Sequence, residues 1–424
     1  QGEAFDYPEI FFEEKIHEIR RIYPDQNQLK KAADVIKNSK QPIIISGGGV
    51  LYSEAEKELS DFAKKHNIPV MPTAMGIGCM DKDDPYYIGP IGCLGVGSSN
   101  SLSKDTDLAL AIGTKLGDFT TGSWSNFHNP DFKLVSINAA RFDVTKHRAT
   151  PVVSDAKVGL KELTKKLDDW KAPANWYERA RKEAKEWDQY VAKASGPTNQ
   201  ELPTYAHAVG AVYRNADPSD VVVTAAGGLV GEAVQIWKPK QINTFETEWG
   251  FSCMGYEISG ALGMKMAKPD QDFIVFIGDG SYLLQNSDIY SSVIYEKKLI
   301  IIVCDNSGHM VINRLQLAKG GKEYLCNFKS ARASNFVEID FASHAASMGA
   351  ESETVTSTSE LEAAFLRAKK SKGTYVISIK THGYEWLEGT AFWESPTLEV
   401  PNTEGNKQAF KEFKEGKARQ RKGV

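Results

Sequence analysis

The residues best suited to chemistry follow two apolar runs in the second half of the chain. The first run, residues 273–277, leads into Asp279 within the sequence GDGS, and the second, residues 299–303, leads into Asn306. If these runs are parallel strands joined by a helix, Asp279 and Asn306 lie side by side at the carboxyl ends of neighbouring strands. Their carboxylate and carboxamide oxygens are hard ligands that suit Mg²⁺. The spacing therefore predicts a magnesium site at one edge of a parallel sheet.

The glycine-rich turn around Asp279 adds groups that could hold a phosphate. Gly278 ends the first run, and the backbone amides of Gly280 and Ser281 would begin the next helix, where amides face an anion. We expect a backbone carbonyl near Gly308 to complete the metal ligands. Together these groups predict an anchor for a magnesium-bound diphosphate, and an ordinary strand–turn–helix with a glycine-rich turn is the alternative.

Two stretches upstream of this anchor could contribute to the same site. Residues 221–226 read as a strand that runs into a glycine pair, which lets backbone amides approach an anion closely. We therefore expect Gly228 and Leu229 near the diphosphate. Met254 precedes a stretch of small residues, 258–267, that reads as a helix, and from the residues alone it could be a core methionine.

The fold class follows from strand-like and helix-like segments that alternate along most of the chain. This alternation is typical of doubly wound parallel sheets, and we expect two α/β domains of this kind. In the first domain, Ser53 is expected to cap the helix that ends near His66. The triplet at 47–49, Gly-Gly-Gly, lacks the G-x-G-x-x-G pattern, so close helix–strand packing explains it better than dinucleotide binding. The strands expected in this domain are residues 41–46, 68–71, 108–112 and 133–137.

Length and composition fit a protein with more than one core. The chain has 424 residues, of which 41% are hydrophobic and 25% charged, enough for two domains with cores of their own. The expected order is a linker (1–25), a central Rossmann-like α/β domain (26–170), a helical connector (171–200), an α/β domain that carries the predicted anchor (201–395) and a basic tail (396–424).

Charge and cysteine usage exclude several classes of protein. A net charge of −4 gives no electrostatic case for nucleic-acid binding. No apolar stretch approaches the roughly 20 residues that span a membrane, and the first residues, QGEAFDYPEI, lack a secretory signal. The five cysteines show no paired spacing and the histidines no metal-ligand spacing. We therefore expect a cytoplasmic enzyme that acts on a small molecule.

The order of an apolar run, GDG, a second apolar run and Asn resembles the cofactor-binding motif of thiamine diphosphate (ThDP)-dependent enzymes. The resemblance implies ThDP and Mg²⁺ as cofactors. It also implies a role for Met254, because such enzymes often carry methionine at a position that props the cofactor into a bent shape. That shape brings the aminopyrimidine nitrogen close to the reactive thiazolium carbon.

Five stretches narrow the resemblance to the trihydroxycyclohexane-1,2-dione hydrolases of inositol catabolism. They are residues 47–55, 118–124 (DFTTGSW), 248–257 (EWGFSCMGYE), 312–316 (INRLQ) and 420–424 (QRKGV). The resemblance implies hydrolytic cleavage of a carbon–carbon bond in a cyclic, polyol-derived 1,2-dione to give a 5-deoxy-glucuronate, in a homodimer or homotetramer. His309 and Met310 depart from the family, which leads us to expect an aromatic and a small residue there. His309 is a candidate for proton transfer, or a residue that packs beside the metal loop.

The same family places a pyrimidine-binding domain, with the glutamate that activates the cofactor, ahead of the linker. The chain begins at Gln1 in what resembles that linker, so we expect the chain as given to be an inactive fragment whose activating glutamate lies elsewhere. Three alternatives stay open. They are another ThDP-dependent carboligase or decarboxylase similar to acetohydroxyacid synthase, a nicotinamide dehydrogenase that uses the glycines at 47–49, and a non-catalytic oligomerising scaffold.

Overall fold

The structure, a computed structural model, describes residues 4–18, 20–330, 336–387 and 389–421. Residues 422–424, which belong to the last of the family-like stretches, lie outside the described residues. Two parallel sheets with helices between their strands make up the described chain, so the predicted fold class is confirmed. Among the described residues, no helix combines the length and apolar character that crossing a membrane requires.

The first sheet has five strands, and all of its pairings are parallel. Its strands are β1 (Pro42–Ser46), β2 (Val70–Pro72), β3 (Leu108–Ile112), β4 (Lys133–Asn138) and β5 (Thr150–Val153), in the order β2-β1-β3-β4-β5. Its helices are α1 (Gln26–Lys37), α2 (Gly48–Tyr52), α3 (Glu56–His66), α4 (Gly97–Asp105), α5 (Asp118–Thr121), α6 (Arg141–Thr145) and α7 (Ala156–Leu167), with 3₁₀ turns at Glu9–Phe11, Ala74–Gly76 and Lys146–Arg148. A long helix, α8 (Ala174–Ala194), leads to the second sheet.

The second sheet has six parallel strands. They are β6 (Val221–Thr224), β7 (Phe245–Thr247), β8 (Phe273–Gly278), β9 (Ile300–Asp305), β10 (Glu351–Val355) and β11 (Tyr375–Lys380), in the order β10-β11-β9-β8-β6-β7. The helices are α9 (Tyr205–Asn215), α10 (Gly227–Ile236), α11 (Tyr256–Ala267), α12 (Asp279–Leu284), α13 (Asp288–Ile294), α14 (Met310–Ala318), α15 (Phe341–Ser347), α16 (Thr358–Lys370) and, after a 3₁₀ turn at Phe328–Ser330 and the last strand, α17 (Glu404–Ala418).

The central strands of both sheets are continuous apolar runs because helices cover both faces. Every residue of β1 and β3 is buried, as is every residue of β9. Each sheet has a switch point, where strands are added first on one side of the starting strand and then on its other side. The switch point lies between β1 and β3 in the first sheet and between β6 and β8 in the second. The carboxyl ends of such a pair are where open α/β sheets bind ligands.

At the carboxyl edge of the first sheet, the segments that follow β1 and β3 contact each other directly. The amide of Gly47 donates to the carbonyl of Ile112 at 2.8 Å, and that of Gly49 donates to the carbonyl of Gly113 at 3.0 Å. A Cβ atom at Gly49 would lie 2.6 Å from the Cα atom of Gly113. The glycines therefore serve close packing, here of the start of α2 against the residues that follow β3.

Two expectations about helices differ from the structure. Ser53 does not cap the helix that ends at His66: it ends α2, and α3 begins after Ala55. The reason is that the glycine triplet starts a short helix of its own, which stops where Glu54 takes a positive φ of 51°. Between β8 and β9 there are also two helices, α12 and α13, where the sequence suggested one helical stretch.

The C-terminal segment connects the two halves of the chain. The amide of Glu394 donates to the hydroxyl of Ser123 at 2.8 Å, and the amide of Arg421 donates to the carbonyl of Trp124 at 3.0 Å. At the start of α17, Asn406 donates to the carbonyl of Lys319 at 2.9 Å. The segment thus holds the loop after α14 close to the first domain.

Candidate functional site

Asp279 and Asn306 both follow strand ends at the carboxyl edge of the second sheet, as the sequence predicted. Strands β8 and β9 are parallel neighbours, and Gly278 pairs with Cys304. Asp279 therefore leaves one strand beside Asp305, the last residue of the next strand. The loop that follows β6 lies on the other side of β8, so three adjacent strand ends meet here.

Asp279 is a buried carboxylate, only 1% exposed. Its Oδ2 atom accepts a hydrogen bond from the amide of Gly308 at 2.8 Å. Burial raises the pKa of Asp279 well above its usual value, and the nearby Asp305 raises the pKa further. No ion pair to Asp279 occurs within the described ranges. A buried carboxylate in this state is stabilised by a cation.

Asp305, to which the sequence analysis assigned no role, has a different environment. It is 4% exposed, and its Oδ2 atom lies 2.6 Å from the Nζ atom of Lys380. Its Oδ1 atom accepts from the amide of Ser307 at 2.8 Å. Lys380 therefore balances the charge of Asp305, whereas no cationic side chain pairs with Asp279 among the described residues. Its place directly before Asn306 was the signal that could have identified it.

Asn306 presents an unpaired oxygen to the same region. Its Nδ2 atom donates to the hydroxyl oxygen of Tyr205 at 2.6 Å. Its Oδ1 atom is buried, and no described residue donates to it. A carboxylate without a cationic partner and an amide oxygen without a donor at neighbouring strand ends fit a Mg²⁺ ion. Mg²⁺ prefers oxygen ligands, and water or phosphate supplies several of them. No three His, Cys, Asp or Glu side chains cluster as metal ligands would in the described chain, this edge included, so amide, backbone, phosphate or water oxygens would have to complete the ligand set.

Tyr205 forms the floor below these strand ends, and no sequence motif pointed to it. A Cβ atom at Gly228 would lie 3.2 Å from the Cε2 atom of Tyr205, and one at Gly278 would lie 3.7 Å from its hydroxyl oxygen. Tyr205 is the first residue of α9, and Thr204 and His207 form a capping box that fixes this helix end. One ring thus touches the ends of β6, β8 and β9.

The glycine-rich turn after β8 is as predicted, and His309 lies against it. Gly280 and Ser281 are both buried in the first turn of α12. A Cβ atom at Gly280 would lie 2.5 Å from the Nδ1 atom of His309, so only glycine lets the imidazole approach. His309 also packs edge-on against Phe328, with 5.3 Å between ring centroids. The structure brings His309 to the site, whether it transfers protons or only packs there.

Met254 lies in the loop before α11, whereas Gly228 and Leu229 lie in the first turn of α10, which follows β6. Met254 is 38% exposed, so it is not a core methionine. Its loop is held by the hydroxyl of Ser252, which donates to the carbonyl of Ala225 at 3.1 Å. Gly228 is half-buried, but the side chain of Leu229 is 1% exposed and packs in the core. Only the backbone of Leu229 can therefore face a ligand.

Glu257 is a further residue whose role sequence reasoning missed. It is fully buried, and its Oε1 and Oε2 atoms accept from the amides of Ala226 at 3.2 Å and Gly255 at 2.8 Å. The side chain of Ser281 also hydrogen-bonds to it. Burial raises the pKa of Glu257, and these hydrogen bonds oppose that rise. One carboxyl group thus ties together the loops that follow β6 and β8 and the turn after Met254.

A cavity of about 340 Å³ opens beside the paired acids. Its walls include Asp279, Ser307, Phe328 and Lys380. The space lies next to the uncompensated carboxylate, where a bound metal and the phosphates that it carries would need room.

The two most distinctive sequence stretches meet near this edge. Phe119, from DFTTGSW, packs edge-on against Trp249, from WGFSCMGY, with 5.5 Å between ring centroids. Phe119 also contacts Trp393 of the C-terminal segment, with 5.0 Å between centroids. The first domain therefore reaches the loop that carries Met254 through aromatic contacts.

Comparison with known families agrees with this division of the chain. Residues 29–163 match the family described as thiamine pyrophosphate enzyme, central domain. Residues 225–379 match the thiamine pyrophosphate enzyme, C-terminal TPP binding domain. The second match contains the strand ends, the GDGS turn and Asn306.

Curated relatives extend the similarity to nearly the whole chain. A 3D-(3,5/4)-trihydroxycyclohexane-1,2-dione hydrolase of Halalkalibacterium halodurans is 35% identical, over 97% of this chain and 68% of the relative. Proteins of the same name from Lacticaseibacillus casei and Clostridium botulinum are each 33% identical over 98% of this chain, and the matches cover 68% and 69% of those relatives. The chain therefore belongs to the thiamine diphosphate-dependent enzymes, in the family of the 3D-(3,5/4)-trihydroxycyclohexane-1,2-dione hydrolases.

Proposed function

We propose that this chain binds ThDP through Mg²⁺ at the carboxyl edge of the second sheet and serves the hydrolytic cleavage of a cyclic 1,2-dione. The observation that carries the proposal is the pairing of an uncompensated buried carboxylate, Asp279, with the orphaned amide oxygen of Asn306. Both lie in the segment that matches the ThDP-binding family.

The metal would be held by Asp279, by the Oδ1 atom of Asn306 and by a backbone carbonyl near Gly308. The hydrogen bond from the amide of Gly308 to Asp279 supports this set, because it fixes the loop beside the carboxylate. Oxygen ligands from side chains, backbone and phosphate together match the preference of Mg²⁺. The cation would also remove the electrostatic cost of burying Asp279 next to Asp305.

The diphosphate would be held by backbone amides on both sides of the metal. Gly228 and Leu229 lie after β6, and Gly278, Gly280 and Ser281 follow β8. Two of these glycines are packed so closely, Gly228 against Tyr205 and Gly280 against His309, that a side chain would displace a neighbour. Amides brought this near to an anion are the usual phosphate contacts at a turn into a helix.

Bound ThDP would supply the carbon nucleophile and the electron sink for carbon–carbon bond cleavage. Met254 would hold the cofactor in its bent shape, which its place on a tied loop and its exposed side chain support. His309 would hold or release a proton beside Gly280, where its Nδ1 atom faces the turn. Phe119 and Trp249 would restrict water at the rim, since their rings pack against each other.

The substrate that fits the relatives' name is a trihydroxycyclohexane-1,2-dione. We propose that its ring is opened to a 5-deoxy-glucuronate, a step of inositol catabolism, as the resemblance of 118–124 and 248–257 suggested. The contact between these two stretches supports a shared role. An acetohydroxyacid synthase-like carboligase would use the same anchor. Measuring the rate of turnover with the cyclic dione and with pyruvate distinguishes the two reactions.

Exposed apolar side chains of the second domain support an assembly with a pyrimidine-binding domain. Phe251 is 92% exposed and Leu284 is 62% exposed, and three side chains of or next to α13 are more than half exposed. These three are Tyr290, Ile294 and Tyr295. We propose that a homodimer or homotetramer covers part of this apolar surface.

The proposal is tested by titration calorimetry of ThDP with Mg²⁺ into the unaltered chain and into Asp279→Ala. We expect binding by the unaltered chain and a loss of at least about 100-fold in the variant, because the main charged ligand is gone. A matched control is Asp155→Ala, since Asp155 is a buried acid of the first domain that pairs with Arg21 at 2.9 Å. Equal cofactor affinity in Asp279→Ala and the unaltered chain would contradict the proposed site.

A further inference from the structure

The hydroxyl of Tyr205 is positioned to decide which end of the Asn306 side chain faces a metal. A carboxamide has one donor end and one acceptor end, and only its oxygen can bind a cation. The Nδ2 atom of Asn306 donates to the hydroxyl oxygen of Tyr205 at 2.6 Å. The Oδ1 atom is thereby left on the other side, buried and without a donor among the described residues.

Tyr205 is itself held rigidly, which a positioning role requires. It is the first residue of α9. The hydroxyl of Thr204 accepts from the amide of His207, and the Nδ1 atom of His207 accepts from the amide of Thr204. Its ring lies against Gly228, and its hydroxyl lies near Gly278.

We propose that Tyr205 is a positioning residue that orients the Asn306 carboxamide with its oxygen toward the metal. The inference rests on the proposed function, because it gives Asn306 Oδ1 a metal to bind. Tyr205 does not touch that metal: it acts through Asn306. Partners that orient a metal ligand typically contribute about 10- to 100-fold to metal affinity.

Tyr205→Phe is the variant that isolates this role. Phenylalanine keeps the ring that packs against Gly228 and removes only the hydroxyl oxygen that accepts from Asn306. The amide is then released to turn either end toward the metal. We expect metal affinity to fall about tenfold, the lower end of the range for such partners, while ThDP binds with unchanged affinity once the metal is saturating.

Tyr213→Phe is a matched control on the same helix. Tyr213 lies eight residues further along α9, roughly 12 Å along the helix axis. Its hydroxyl donates to the carbonyl of Lys238 at 3.1 Å, away from the three strand ends. The same atom is removed from the same residue type, so any general effect of losing a tyrosine hydroxyl appears in both variants.

The experiment uses Mn²⁺ as the probe, because its electron paramagnetic resonance signal distinguishes free from bound ion. The unaltered 424-residue chain, Tyr205→Phe and Tyr213→Phe are titrated with Mn²⁺ at saturating ThDP. Thermal unfolding of each protein without ligands, and ThDP affinity at saturating Mn²⁺, are measured alongside. The predicted pattern is weaker Mn²⁺ binding in Tyr205→Phe alone, with both variants unfolding at similar temperatures.

Two different failures can be told apart. If the unaltered chain binds no Mn²⁺ in the presence of ThDP, the proposed function is wrong, and the positioning role is wrong with it. If the unaltered chain binds Mn²⁺ and Tyr205→Phe binds it equally well, the positioning role alone is overturned. It is also overturned if Tyr213→Phe loses as much affinity, or if Tyr205→Phe loses ThDP affinity at saturating Mn²⁺, because either result indicates general damage.

Discussion

The carboxyl edges of the two sheets are built on the same plan and differ in what their loops do. In the first sheet, the loops after β1 and β3 press together, with Gly49 against Gly113. In the second sheet, a Cβ atom at Gly227, directly after the loop that follows β6, would meet nothing within 4 Å. Both edges lie where an open α/β sheet can bind a ligand, but only the second leaves space for one.

The same contrast appears in the hydrogen bonding of buried polar side chains. Among the described residues between 26 and 170, His66 carries the one buried side-chain atom without a partner. In the described part of 201–395, buried side-chain atoms without a partner occur on Thr224, Glu232, Gln235, Thr247, Gln271, Asn306, Asn313 and Thr381. Folded proteins satisfy nearly all such atoms. Both sheets have the strand order that creates a ligand-binding edge. The buried polar atoms without partners indicate that the second sheet is the one that binds a ligand.

The strongest test of the comparison substitutes the asparagine at a strand end of each sheet. Asn138 ends β4, and its side chain is satisfied by the carbonyl of Thr114 at 3.2 Å and the amide of Ala140 at 2.9 Å. Asn306 leaves its oxygen unpaired. We expect Asn306→Ala to weaken Mg²⁺-dependent ThDP binding about 100-fold. Asn138→Ala should leave binding unchanged and lower the free energy of unfolding by about 1 kcal/mol.

Titration calorimetry and urea unfolding of both variants measure these two quantities. A loss of ThDP affinity in Asn138→Ala, equal to that in Asn306→Ala, would remove the distinction between the two edges.

The glycines of the two edges should respond in opposite ways to alanine. Gly49→Ala forces a methyl group to within 2.6 Å of the Gly113 backbone, and we expect a loss of about 2–3 kcal/mol in the free energy of unfolding. Gly228→Ala places its methyl group 3.2 Å from the Tyr205 ring, a milder contact at the open edge. We expect it to weaken ThDP binding more than it lowers stability. Urea unfolding and calorimetry check both, and a reversed order would contradict the comparison.

The smallest expected effect concerns Glu232, a buried acid of the second domain. Its Oε1 atom accepts from the amide of Leu387 at 2.8 Å, and its Oε2 atom has no partner in the described chain. Burial raises the pKa of Glu232 from 4.5 to about 7. Between these values the folded protein holds a proton that the unfolded chain releases, so the contribution of Glu232 to stability falls as the pH rises through this window.

Glu232→Gln removes that titration. Relative to the unaltered protein, the variant should gain about 2 kcal/mol in the free energy of unfolding between pH 5 and pH 8, because only the unaltered protein loses stability through the titration of Glu232 in this range. Urea unfolding at four pH values in this range measures the difference. A difference that is independent of pH would show that Glu232 is ionised throughout.

The sequence predicted what local patterns determine. The strand Leu108–Ile112 was predicted to the residue, because an apolar run between polar residues is a local signal. The sequence also predicted that Asp279 and Asn306 lie at the same edge of the sheet. The reason is that the carboxyl ends of neighbouring parallel strands, here β8 and β9, lie side by side. The prediction that Ser53 caps the start of α3 was wrong. Serine also occurs at helix ends, and the positive φ of Glu54, which stops α2 at this point, could not be read from the sequence.

The residues that sequence reasoning missed depend on contacts between distant segments. Tyr205 lies 101 positions before the asparagine that it holds, and nothing in its own neighbourhood indicates a site. Glu257 accepts from the amide of Ala226, 31 positions upstream, and on α11 it reads as an ordinary helical glutamate. Such residues are specified by tertiary packing, which no short pattern records.

The most direct test of the account is amide hydrogen–deuterium exchange of the chain with and without ThDP and Mg²⁺. The account predicts that the cofactor slows exchange in 225–229, 252–257, 278–284 and 305–310. It predicts no change in 47–50 and 113–116, where the loops already pair with each other. Protection at the first sheet, or none at the second, would contradict the assignment of the cofactor to the open edge.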